Sequence, residues 1–98
     1  MSNNTNEETV TPDKVFSVSV NTSGEIVISF KDFIITDHGS TSDIGIEGGL
    51  TANASWDRHV VTSIFLSASQ YVKVCLSHNN RQTYFNMSAG HSDLYAIP

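Results

Sequence analysis

Residues 15–30 read VFSVSVNTSGEIVISF, and the fold class turns on them. In the first six, Phe16, Val18 and Val20 alternate with Ser17 and Ser19, the period of two that gives a strand one apolar face and one face toward water. In the last six, Ile26, Ile28 and Phe30 resume that alternation. Between them Asn21-Thr22-Ser23-Gly24 supplies turn chemistry, with Gly24 free to take a positive φ, so the stretch predicts a β-hairpin.

Beyond Phe30 the next apolar residues are Phe33 and Ile35, an odd offset that carries them to the opposite face. A bulge or bend near Lys31-Asp32 is expected to restore them to the buried side. DHGSTSD at 37–43 reads as a loop, and IGIEGGL at 44–50 as a short strand through Ile44 and Ile46 that reverses at Gly48-Gly49. Residues 59–76 fit two patterns, since Val60, Ile64, Ala68, Val72 and Cys75 approximate a helical stripe. Their β-branched and aromatic content favours two strands, 59–66 and 70–77. His78-Asn79-Asn80 then turns the chain back through QTYFNM at 82–87, and a last short strand runs through Leu94 to Ile97. The expected fold is all-β, or mostly β with at most one short helix: a small antiparallel sandwich or partly open barrel of six to seven strands, as one domain over 14–98. Upstream, residues 1–13 offer Val10 as their one branched aliphatic side chain and a proline at 12. They are expected to form a flexible polar arm whose removal leaves the melting temperature nearly unchanged.

Composition supports strands and turns. Ser, Thr and Asn fill 31 of 98 positions, and these side chains compete with a helical backbone for hydrogen bonds. No apolar run approaches the roughly 18 residues of a membrane helix, and MSNNTNEETVTPDK lacks the basic end and apolar stretch of a secretory signal. The expected location is therefore the cytoplasm or a virion. With five Lys plus Arg and a formal charge of −5, direct nucleic-acid binding is not expected. The charge is also unevenly spread: residues 1–57 hold nine acids against Lys14 and Lys31, a net −7, while 58–98 hold Arg58, Lys73 and Arg81 against Asp93, a net +2. Sheets commonly mix distant segments, so interleaving strands are expected to erase this partition in space.

Site chemistry is sparse. His91-Ser92-Asp93 places a triad's residue types side by side, but a triad is assembled from distant residues on a scaffold, and no G-x-S-x-G elbow is present. His38, His59, His78 and His91 lack the i, i+2 or i, i+4 spacing that sets two imidazoles on one face, and Cys75 has no C-x-x-C partner. Neither an enzyme nor a metal or cofactor site is expected, and Cys75 reads as a small buried core residue. The one concentrated group is Trp56-Asp57-Arg58-His59, the only tryptophan beside an acid, a base and an imidazole, with Arg81 as a further exposed cation. A partly exposed Trp56 there would stack on a sugar ring or anchor a protein interface. The favoured expectation is a non-enzymatic β-sheet binding or assembly protein, of the kind found among viral or phage-like structural components, that self-associates into a homo-oligomer. The alternatives are a small acidic inhibitor or anti-defence protein that covers a basic protein surface, and a carbohydrate-binding module built on Trp56.

Overall fold

The computed structural model describes residues 9–31 and 33–97, which form a mostly β sandwich. The hairpin is where the alternation puts it: β2 (Phe16–Val20) pairs antiparallel with β3 (Ile26–Phe30), in register from Phe16 opposite Phe30 to Val20 opposite Ile26. Its turn is held by the Asn21 side chain, whose Oδ1 accepts hydrogen bonds from the Ser23 and Glu25 amides while Gly24 takes φ 80°. The 59–76 segment is two strands, β8 (Val60–Ala68) and β9 (Val72–His78), and β9 turns into β10 (Arg81–Met87) through Asn79 and Asn80, both at positive φ as a two-residue I′ turn requires. The chain ends its regular structure in β11 (Ser92–Ala96).

Two sheets face each other. One has the order β10-β9-β3-β2; the other has β11-β8-β7-β5, where β5 is His38–Ser40 and β7 is Leu50–Asp57, and β6 (Ile44–Ile46) shares the outer edge of β7 with β5. All pairings in these sheets are antiparallel except β3 with β9. Among the described residues there are seven strands of five or more residues and four of two or three. Between the sheets lies a core that includes Ile28, Ile34, Leu50, Ala54, Ile64, Leu66 and Val74. Each fully buried Ile or Leu there contributes roughly 1.5–3 kcal/mol relative to exposure.

Four details differ from the expectation. First, β7 was not foreseen: in LTANASWD the inward residues are Leu50, Ala52, Ala54 and Trp56, and the two alanines mute an alternation that burial makes plain. Second, residues 38–40 of the expected loop pair with β7 as β5, their register running from His38 opposite Asp57 to Ser40 opposite Ser55. Third, the chain leaves the first sheet after Phe30, so that Ile34 is the buried residue of β4 (Phe33–Ile34) and Ile35 is exposed; Asp32, where a bulge was expected, lies outside the described residues. Fourth, the part of the expected arm that falls within the described residues is structured. Thr9–Val10 form β1, parallel to β4, and the Val10 carbonyl accepts a hydrogen bond from the Ile35 amide at 2.8 Å. Pro12–Lys14 make a 3-10 turn, while residues 1–8 lie outside the described residues.

Candidate functional site

The strand order keeps the two parts of the chain apart. In the first sheet β10 and β9 lie on one side and β3 and β2 on the other; in the second, β11 and β8 stand opposite β7, β5 and β6. Every strand from residues 58–98 is therefore on one side of the sandwich, and every strand of these sheets from 1–57 is on the other. The expectation that interleaving would erase the charge partition is overturned, because the crossover from β8 to β9 changes sheet without crossing to the acidic side. Asp43, Glu47, Glu25 and Asp13 flank strands of the acidic side together with Lys14 and Lys31, while Arg81 and Lys73 stand on the other side with Asp93, and Arg58 lies in the turn that joins the two.

The two flanks are finished differently. On the basic side, Phe85 from β10 and Tyr95 from β11 stack across the gap between the sheets, their ring centres 4.2 Å apart. On the acidic side no aromatic pair among the described residues bridges β2 and β6. Val18 and Val20 point inward by register with Ile28 and Ile26, yet they remain 37% and 51% exposed above a groove shared with Ile46. The outer edge of β2 carries no backbone hydrogen bond among the described residues, and FSVSV has none of the charges, prolines or bulges that usually guard an edge strand. Sequence reading recognised this strand but not its edge position, which depends on pairing order and has no local signature.

The residues singled out from sequence have separate fates. Trp56 is 5% exposed, inside the core, with its Nε1–H donating to the Thr36 hydroxyl at 3.1 Å. Gly39 makes room for the ring, since a Cβ there would come within 2.7 Å of the indole. The reading of Trp56 as an exposed sugar or protein anchor is therefore corrected: neither ring face is free. Asp57 ends β7, and Arg58 and His59 form the two-residue turn into β8, at φ 55° and 72°. A left-handed backbone costs each such residue about 1–2 kcal/mol. The clamp that holds it is visible: His59 stacks on Phe33 at 4.9 Å, and its Nδ1–H donates to the Ile34 carbonyl at 2.8 Å. That leaves Nε2 toward Asp37, 3.7 Å away. Arg81 starts β10 at the same end of the sandwich as this turn, because the β3 and β9 ends meet there through Phe30 and His78 and Ile97 bonds back to Thr62. The four histidines do not converge, and no three His, Cys, Asp or Glu side chains among the described residues could hold a metal ion together.

Cys75 is 1% exposed but is not part of the main core. It sits on the outer face of its sheet, opposite Val27 on one side and Tyr84 on the other. Burial pushes its thiol up from the ordinary value, with the nearby Glu25 carboxylate adding to the rise and a contact with Tyr84 opposing it. No helix of the described residues is long and apolar enough to cross a membrane. No family model, curated protein or solved structure matches the chain.

Proposed function

We propose that the chain is a non-enzymatic assembly protein whose copies join head to tail, the acidic flank of one against the basic flank of the next. The observation that carries this reading is the strand order, which sets the described residues of the first part, six acids against Lys14 and Lys31, toward one flank and the weakly basic second part toward the other. Each flank ends in strand edges, and the β2 edge adds bare Val18 and Val20 that an incoming strand would cover. Complementary charge steers and orients such an encounter, whereas the apolar cover and edge hydrogen bonds hold it. The acidic flank also suits docking on another protein's basic surface, which keeps an inhibitor as the second reading. The carbohydrate reading lost its residue when Trp56 proved buried.

Sedimentation velocity of the wild type and of the Arg58→Glu, Arg81→Glu double variant, each at low salt and near 0.5 M salt, tests the proposal. At 0.5 M the Debye length is about 4 Å, so exposed charges are screened. The wild type is expected to form concentration-dependent species at low salt that shrink at high salt, with the double variant nearer the monomer at low salt. Four indistinguishable profiles would overturn assembly through charged flanks and advance the inhibitor reading.

A further inference from the structure

A small cavity opens between the sheets at the end of the basic flank, about 50 Å³ in volume, beneath the stacked Phe85–Tyr95 pair. Its floor and walls are apolar, from Phe30, Leu76, Tyr95 and Ile97, while Arg81, Thr83 and His78 also line it. Arg81 and Thr83 are inward residues of β10, since they alternate with Tyr84 and Gln82 and share a face with Phe85 and Met87. Both stay exposed at the open margin of this edge strand, so a cation and a hydroxyl stand at the mouth of a slot whose depth is apolar. No carboxylate lines the cavity among the described residues, and Arg81 has no ion-pair partner among them. In a chain of net charge −5, a cationic mouth without an acid is a local reversal of the overall field.

We infer that this cavity binds a short aliphatic monocarboxylate, its tail in the slot and its carboxylate at Arg81. The guanidinium offers a planar fork of donors that matches a carboxylate, and the Thr83 hydroxyl supplies one more donor beside it. The volume sets the tail length. A water needs on the order of 10–15 Å³ of such space, so this slot admits a tail of two or three carbons and excludes long acyl chains or sugars. A multiply charged phosphate would match the guanidinium but leave the apolar slot empty. The site does not depend on self-association, because all its lining residues come from one copy.

The test is an amide NMR titration of the full chain with butyrate, with butyramide as the uncharged isostere and sodium chloride at matched ionic strength as the salt control. Saturable shifts confined to Thr83, Ala96, Ile97 and their neighbours are expected with butyrate, at a dissociation constant in the millimolar range, and none with the other two. Arg81→Gln should weaken butyrate about tenfold by removing the charge-assisted hydrogen bonds. Thr83→Leu, which fills the slot and keeps the arginine, should abolish the saturable shifts. Equal responses to butyrate and butyramide, shifts that follow salt alone, or an unchanged affinity in Arg81→Gln would overturn the assignment. Each variant's amide spectrum shows independently that it is folded.

Discussion

At the scale of single residues, Trp56 decides between two accounts of its neighbourhood. Its indole is buried and hydrogen-bonded, so Trp56→Ala is expected to destabilise the protein by about 3–5 kcal/mol in urea unfolding, the cost of emptying an aromatic core site. A loss under about 1 kcal/mol would mean that the ring is dispensable to the core. Part of this was legible in the sequence: Leu50, Ala52, Ala54 and Trp56 hold the period of two, but alanine contributes so little hydrophobic contrast that the flanking Asp57-Arg58-His59 dominated the reading. Cys75 shows the opposite case, a residue whose burial was foreseen and whose face was not. Its thiol is raised in the fold above the ordinary value of 9.0. A raised acid stabilises the folded state below the unfolded value, and that stability is lost as pH climbs through the folded one. Wild-type urea midpoints are therefore expected to fall between pH 8 and pH 9.5, and to fall less in Cys75→Val. An equal slope in both would assign the pH dependence to other groups.

Among the elements, the hairpin and the pair β8–β9 were readable because each strand carries its own alternation, whereas β1, β4 and β5 were not. Unlike β6, whose Ile44 and Ile46 alternate about Gly45, these strands of two or three residues have no apolar period to detect and form only against a partner already in place. β1 illustrates the consequence. Val10 packs against the core and its carbonyl is bonded to Ile35, so truncation after residue 13 should cost about 1–3 kcal/mol rather than leave the melting temperature unchanged. Thermal unfolding of the truncated chain measures this directly, and an unchanged transition would show that β1 contributes nothing. β2 is the element where stability and association should separate. Val18→Lys places a charge on a partly exposed inward position of an edge strand, with an expected stability cost of about 0.5–1 kcal/mol. The lysine should nevertheless block strand addition, as edge lysines do in natural sheets.

At the scale of the whole molecule, head-to-tail contact makes a prediction that no two-fold symmetric dimer shares. A heterologous interface joins two different surfaces, so a chain that has lost one surface still presents the other. Val18→Lys loses the β2 edge and keeps the flank that carries Arg81; the Arg58→Glu, Arg81→Glu variant weakens that flank and keeps β2. Each variant alone should sediment close to the monomer at low salt. Mixed in equal amounts, they should form a one-to-one complex that grows no further, because each copy's remaining good surface is already used. Added to wild type below stoichiometry, Val18→Lys should shorten the assemblies by capping one end. An isologous interface joins one surface to its own copy, so the variant that keeps that surface would still dimerise alone and mixing would form no further complex. A mixture that sediments as the sum of its two components, beside an oligomeric wild type, would thus reject the head-to-tail arrangement while leaving self-association intact, and dimers of the Arg58→Glu, Arg81→Glu variant alone would mean that the β2 edge meets its own copy despite the acids on its flank.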